Sequence, residues 1–323
     1  MNSADPIQVV TLADERYAIP LAVAIRSLLD GLEAGRSLQL TIVDGGIGAD
    51  VKRKLVDSWR TSQGWPRTSV GWKTPDYGAA SDLPEWGRVP KLTYARINLD
   101  AYLPHASRVI VLDSDVLVRT GIGRLWDTPL DGAVAAASVD PFLPTVLSAD
   151  GPAQHSGRSP DAPYLNAGVL LVDLDLWRSH EIASRAIAYA VQNWRAAKWC
   201  DQDAINAVLE GRWKILDRRW QMQPRRAIVA PDAASEPEDD AWILHFSGRL
   251  KPWLYRGTSA ADREFFEVLD RTAWSGWRPP ASLRSLFLGV YERRLRRRLY
   301  SWEVRALNWL GRAARFRQAL RSR

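Results

Sequence analysis

Apolar and polar positions follow two periods along the first 140 residues. IQVVTLAD (7–14) is a short apolar run that ends in polar residues, as a buried strand entering a loop does. IPLAVAIRSLL (19–29) carries apolar residues at helical spacing, and SLQLTIVDGG (37–46) is a second strand closed by two glycines. Asp50 stands where it can cap a helix reaching about Trp59, and TSVGWKT (68–74) predicts a third strand. PKLTYARINLDAYLP (90–104) predicts a helix ended near Pro104, and VIVLDSDVLV (109–118) predicts one buried strand. Strands alternating with helices predict an α/β fold with a parallel-rich sheet. No internal repeat is present.

From Asp140 to Pro163 five prolines interrupt the pattern, which predicts a loop. Strand signal resumes in AGVLLVDLDLW (167–177), followed by helical patterns over 179–194 and 201–210. Residues 230–240 are acidic and contain proline, so they predict a surface loop, and WILHFSG (242–248) predicts a strand. One catalytic body is expected over residues 1–277. Arg278-Pro-Pro serves as a hinge to a tail over 278–323.

Composition changes this picture in three places. Cys200 is the only cysteine and there are four histidines, which excludes an intrachain disulfide and disfavours a Cys/His zinc site. The start, MNSADPIQVV, lacks the basic and apolar regions of a signal peptide, and no apolar run approaches the roughly 20 residues of a membrane span. A soluble or peripheral protein in a reducing compartment is expected. The net charge of +7 is unevenly held: residues 281–323 contain 12 arginines and two acids, a net +10, so residues 1–280 carry −3. Basicity confined to a tail argues against nucleic acid as the partner of the body.

Four stretches carry candidate chemistry. Asp113-Ser-Asp115 interrupts an apolar strand, and residues i and i+2 of a strand share a side. Two carboxylates so placed suit Mg²⁺ or Mn²⁺, with a phosphate completing the coordination. D-x-D alone is as well explained by a solvated turn, but here an apolar strand flanks it on both sides. His245 closes a strand, with Gly248 and Lys251 following in a loop suited to phosphate; a lone histidine is more often a core residue. Asp201-Gln202-Asp203 opens a helix, where one acid serves simply as a cap. Asp14 and Tyr17 follow the first strand, where a carboxylate and an aromatic ring suit a nucleobase, although a plain loop would look the same.

LADERYA (12–18), the helix with Ser27, TYARINLDAYLP (93–104), VIVLDSDVLV, YLNAGVLLVDLDLWR (164–178), CDQDAIN (200–206) and HFSGRLKPW (245–253) occur in an order that resembles glycosyltransferase family 8. These are retaining nucleotide-sugar enzymes and include bacterial lipooligosaccharide and lipopolysaccharide galactosyl- and glucosyltransferases. The resemblance spans roughly residues 7–255. It implies the GT-A fold, Rossmann-like with a mixed central sheet flanked by helices. It implies Asp113, Asp115 and His245 as ligands of a divalent metal, usually Mn²⁺ with Mg²⁺ as the alternative. Asp14 would pair with uracil and Tyr17 stack on it, while Gly248 and Lys251 contact the diphosphate. Arg96, Asp140, Asn166, Ala167 and Ser114 would complete the donor contacts, with Gln202 and Asp201 as the catalytic pair. Arg16 stands where family members often carry Asn, beside the ribose.

The implied function is transfer of a hexose, galactose or glucose, from a UDP-sugar to a saccharide, with a lipid-linked surface glycan as the expected acceptor. The implied alternatives are a nucleotide-sugar-binding module without transfer and a transferase acting on a protein or small molecule. Loop 77–87 is placed to close over the donor. In the tail, Leu288, Tyr291, Leu295, Leu299, Trp302, Ala306, Trp309, Ala313, Phe316 and Leu320 recur at spacings of three and four, with arginines between them. That pattern predicts a basic amphipathic helix docking on an anionic membrane, ahead of self-association and nucleic-acid binding. A cytoplasmic protein, peripheral on the inner face of the plasma membrane, is expected.

Overall fold

The computed structural model describes residues 5–83, 90–146, 159–195, 197, 199–224, 240–248, 251–255, 257 and 259–281. The tail beyond residue 281, the acidic loop up to residue 239 and residues 84–87 of the expected lid lie outside the described residues.

The first three strands form as expected: β1 (Ile7–Ala13), β2 (Leu38–Asp44) and β3 (Thr68–Lys73). They pair in parallel, with β1 also parallel to β4 (Arg108–Asp113). On the far side of β4 lie β7 (Leu165–Asp173), β6 (Ala135–Val139) and β8 (Trp213–Ile215). The order β3-β2-β1-β4-β7-β6-β8 is a mixed sheet, because β7 runs antiparallel to both β4 and β6. A second, two-stranded sheet pairs β5 (Val116–Val118) with β9 (Ile243–His245).

Apolar positions alternate between two cores. Ile110 and Leu112 of β4 face one cluster with helix α1 (Ala18–Asp30), while Val109 and Val111 face the other. A strand covered on both sides needs apolar residues on both faces, so these strands read as continuous hydrophobic runs. Each fully buried Val, Leu or Ile contributes about 1.5–3 kcal/mol relative to exposure. Ser27 within α1 is polar for a reason: its hydroxyl donates to Ala24 O at 2.9 Å and accepts from the Val118 N–H at 3.0 Å, fastening the helix to β5.

Several expectations change. Residues 109–118 are two strands, not one, because the chain turns at Ser114-Asp115 after β4 ends at Asp113. Residues 90–104 form a 3-10 segment, Lys91–Ile97, and one helical turn, α3 (Leu99–Tyr102), rather than a single helix. Helix α2 (Ala49–Arg60) is capped at Gly48, with Asp50 in its first turn. β7 stops at Asp173, whose carboxylate accepts from the Leu176 N–H at 2.9 Å and starts a new helix. Leu174–Ser179 is therefore helix where strand was expected, and the helix expected over 179–194 begins only at Ile182, after Glu181 with φ 54, and runs to Asn193. Helix Asp201–Leu209 forms as expected. The strands β6 and β8 and the helix Ala260–Leu269 carry no sequence expectation. That last helix has a reciprocal Ser259/Asp262 capping box and packs Phe265 against Phe246 and Trp253. Among the described residues no helix is long and apolar enough to cross a membrane.

Candidate active site

The chain leaves β1 toward β2 and β3, then returns to place β4 on the opposite side of β1. Such a reversal opens a crevice at the carboxyl ends of the two central strands. Leu12 of β1 lies level with Asp113 of β4, so the loops after both strands meet there. A cavity of about 120 Å³ fills this crevice and is lined by Asp14, Tyr17, Thr93, Arg96, Asp113, Ser114 and Asp115, among others. A larger cleft of about 570 Å³, beside Trp177 and Glu181, shares none of these residues.

The turn after β4, not strand alternation, brings the two acids together. β5 pairs Val116 with His245, and the Phe246 N–H donates to Asp115 O at 2.9 Å, so the D-x-D turn and the His245 strand end are held side by side. His245 Nε2 lies 3.4 Å from Asp113 Oδ2 and 3.2 Å from Asp115 Oδ1. One ligand atom from each of the three residues falls within 4.8 Å of the others. Gly168 of β7 makes room: a Cβ there would stand 2.7 Å from His245 Nδ1 and 2.9 Å from Asp113 Oδ2. Two carboxylates and an imidazole are a donor set that fits a divalent cation of Mn²⁺ character.

Basic side chains also compensate these acids. Lys251 Nζ donates to Asp115 Oδ2 and, at 2.9 Å, to Phe246 O. Arg96 donates to Asp113 Oδ1 and, at 2.8 Å, to Ala167 O. Burial alone would raise the Asp115 carboxyl, but the Lys251 ammonium and His245 override it and hold it well below the usual carboxylate range. Burial would likewise lower Lys251, Arg96 and His245, yet their carboxylate partners keep all three raised.

Asp201 is the exception. Burial, opposed by Arg96 and reinforced by Asp113, pushes its carboxyl up to about 6. Arg96 Nη1 lies 3.3 Å away, yet Asp201 Oδ2 has no hydrogen-bond partner, because Arg96 is committed to Asp113 and Ala167. The preceding Cys200 holds φ 50, and the Gln202 N–H closes the turn onto Trp199 O at 3.0 Å. A non-glycine residue in that conformation costs on the order of 1–3 kcal/mol, held here by the buried surroundings. Gln202 is fixed at both ends of its amide. Its Oε1 accepts from the Ala167 N–H at 3.0 Å and its Nε2 donates to Asp140 Oδ2 at 3.2 Å. Asn166 Nδ2 donates to the same Asp140 oxygen at 2.7 Å.

At the other end of the crevice, Asp14 Oδ2 accepts from Arg16 Nη2 at 2.6 Å, while its Oδ1 is buried and without a hydrogen-bond partner. The Tyr17 ring stands edge-on to Trp253 at 5.9 Å, with Lys251 Nζ 5.6 Å from its centre. Burial, opposed by Lys251, raises the Tyr17 hydroxyl, which therefore stays protonated.

The structure thus gathers Asp14, Tyr17, Arg96, Asp113, Ser114 and Asp115 around the cavity, with His245 and Lys251 against its acids. Asp140, Asn166, Ala167, Asp201 and Gln202 adjoin it through the Arg96 contacts and the amide network. Gly248 takes φ 82, a left-handed conformation open to glycine, and its missing Cβ would meet nothing within 4 Å. Two residues that motif spacing does not single out also belong here: Gly168 and Gln221. Gln221 is buried and contacts both Asn166 and His245. Its only sequence signal is an amide between two single apolar residues, Trp220 and Met222, in the otherwise polar stretch RRWQMQPRR.

Known proteins resemble this chain in sequence and fold. General stress protein A of Bacillus subtilis is 27% identical over 298 residues, covering 87% of this chain and 99% of that protein. A lipopolysaccharide 1,2-glucosyltransferase of Escherichia coli is 24% identical over 52% of this chain and 50% of its own length. The crystal structure of the galactosyltransferase LgtC, in complex with donor and acceptor sugar analogues, superposes with a TM-score of 0.69 at 26% identity. It covers 88% of this chain and 99% of that one, so the sheet described above is the GT-A fold. The sequence pattern of glycosyl transferase family 8 matches residues 8–257, and the chain belongs to that family.

Proposed function

We propose that the protein transfers a hexose, galactose or glucose, from UDP to a saccharide acceptor with retention of the α configuration. The observation that carries this is the Asp113, Asp115 and His245 cluster in the β1/β4 crevice, with Lys251 against it and the Asp14/Tyr17 pocket beside it. Uracil fits the buried, unpartnered oxygen of Asp14 and the ring of Tyr17, and Arg16 fastens the other oxygen of that carboxylate. The diphosphate belongs between Ser114, Lys251 and Gly248. The sugar belongs among Arg96, Asp140, Asn166, Ala167, Asp201 and Gln202.

Asp113, Asp115 and His245 would hold the cation, Mn²⁺ or Mg²⁺, which when bound supplies Lewis-acid stabilisation of the leaving diphosphate. The chain's own residues do the rest. As the C1–O bond breaks, its electron pair goes to the phosphate oxygen, and the Lys251 ammonium neutralises the charge gathering there. The acceptor hydroxyl oxygen bonds to C1 from the same face, and its proton passes to the departing phosphate oxygen. Gln202 faces an electron-poor centre with an amide, a poor nucleophile, so it stabilises an oxocarbenium-like sugar and does not bond to it. Its two hydrogen bonds hold that amide in one orientation before substrate arrives. Asp201 sets the local charge beside Arg96.

A lipid-linked surface glycan is the proposed acceptor, supported by relatives named as lipopolysaccharide glucosyl- and galactosyltransferases. The catalytic body is assigned to residues 1–277. Residues 278–323 are assigned to peripheral docking on the cytoplasmic face of an anionic membrane, supported by their net +10 charge beyond residue 280. The test is UDP release from UDP-galactose and UDP-glucose with Mn²⁺ and with EDTA. Release from one of the two with Mn²⁺, abolished by chelation, is expected. Binding of the donor with no release under any metal condition would make the protein a binding module instead.

A further inference from the structure

Gln221 ends the short 3-10 segment Arg218–Gln221 and is 3% exposed. Its amide nitrogen touches two acceptors, donating to Asn166 Oδ1 and lying 3.0 Å from His245 Nδ1. Its oxygen, Oε1, is buried and has no hydrogen-bond partner. A buried amide carbonyl left unpaired loses its bonds to water without replacing them, so its persistence calls for a second state in which it is used.

The partners fix what Gln221 can offer. Asn166 Oδ1 accepts from the Gly168 N–H at 2.9 Å, and Asn166 Nδ2 donates to Asp140 at 2.7 Å. Turning Asn166 over would set oxygen against carboxylate and N–H against N–H, so the Gln221 atom facing Asn166 Oδ1 must be a donor. The same nitrogen faces His245 Nδ1. A neutral His245 must therefore accept there and carry its proton on Nε2, the nitrogen that faces Asp113 and Asp115.

Ligation of a cation by Nε2 requires the opposite tautomer, with the proton on Nδ1. Nδ1–H would then confront an N–H. The conflict ends if the Gln221 amide turns and presents Oε1 to Nδ1–H, which withdraws the donor from Asn166 Oδ1. We propose that Gln221 is a positioning residue with two settings, coupling a cation at Asp113, Asp115 and His245 to the Asn166–Asp140–Gln202 network. In the first setting Gln221 donates to Asn166 and the site is cation-free. In the second its oxygen holds the His245 tautomer that binds metal, and Asn166 Oδ1 is free to accept from a donor-sugar hydroxyl. Cation and donor then favour each other, and the coupling is reciprocal. This inference rests on the metal reading of the three-residue cluster.

The test uses the full chain, ¹⁵N-labelled at histidine, at alkaline pH where the imidazole is neutral. His245 is expected as the Nε2–H tautomer without metal and as Nδ1–H with Mg²⁺. Gln221→Glu, which can only accept, is expected to show Nδ1–H without metal. It should also bind Mn²⁺ alone about tenfold more tightly by electron paramagnetic resonance titration, while its KM for the UDP-sugar falls. Gln221→Met removes both hydrogen bonds at similar volume, keeps the test open if the glutamate variant does not fold, and is expected to weaken Mn²⁺ binding about tenfold. An Nδ1–H tautomer in the metal-free wild type, or Mn²⁺ affinities within about twofold of wild type in every folded variant, overturns the coupling. A wild-type chain that binds no Mn²⁺ overturns the metal reading itself, and this coupling with it.

Discussion

Asp201 illustrates how a single buried carboxyl can be set against the stability of its own fold. Its pKa of about 6 lies above the unfolded value of about 3.9. The shift therefore favours folding only when the group is protonated, a contribution present at low pH and lost as pH rises through about 6. Asp201→Asn cannot ionise, so at neutral pH it is expected to unfold at a higher temperature than wild type, by a gain on the order of 2 kcal/mol. That gain should shrink as pH falls below about 6, while UDP release drops at least tenfold. A variant that is both less stable at neutral pH and fully active would show that the carboxylate is structural. His245 titrates in the same sense as Asp201, and Asp115 in the opposite one. The raised His245 contributes stability that is complete below its unfolded value of about 6.5 and fades as pH climbs through the folded value. The depressed Asp115 contributes stability that is present above about 3.9 and is lost in acid. A cation must displace the His245 proton, so the rise in melting temperature on adding Mn²⁺ is expected to be larger at about pH 8 than at about pH 6. An increment independent of pH would remove His245 from the ligand set.

At the scale of elements, what the sequence reveals depends on whether a segment's environment is local. The strands β1, β2 and β4 are legible because both faces are covered, and a run such as VIVL has no other use. Residues 90–104 mislead because apolar residues at helical spacing suit a 3-10 segment equally well. What decides between them is the demand that Arg96 reach both Asp113 and Ala167, a contact across 71 positions at its longest. β6, AAASV, is too poor in large apolar residues to signal a strand, and is small because β7 and Trp220 crowd it. The D-x-D motif and His245 are legible as types, but the turn that joins the acids is not, because continuous apolar residues mask it. Gly168 is the clearest case of information absent from local pattern. It sits in β7 as one more small residue, and only the packing of β4 and β9 against that strand shows why no side chain fits. Gly168→Ala should force the His245 ring or Asp113 aside, costing about 1–3 kcal/mol of stability and at least tenfold in Mn²⁺ affinity. Unchanged metal affinity in that variant would mean that the cluster has slack that the packing does not suggest.

Across the whole molecule, charge is divided between the body and the tail. Residues 1–280 carry −3 and residues 281–323 carry +10, so the two parts experience opposite forces near an anionic surface. A basic segment near the surface contributes about 1 kcal/mol per arginine, falling off within a Debye length of about 8 Å at physiological salt. Twelve arginines interleaved with Trp, Tyr and Leu would hold the chain against a membrane, while the mildly acidic body remains free to turn its crevice toward a lipid-linked acceptor. The full chain is therefore expected to sediment with vesicles containing anionic lipid and not with neutral ones, and high salt should release it. A chain ending at residue 281 should stay in the supernatant with both, yet release UDP from a soluble donor at an unchanged rate, since every site residue precedes that point. Equal sedimentation of the two chains would exclude the tail as the anchor. A truncated chain that stays unbound but loses UDP release would instead make the tail part of the catalytic body.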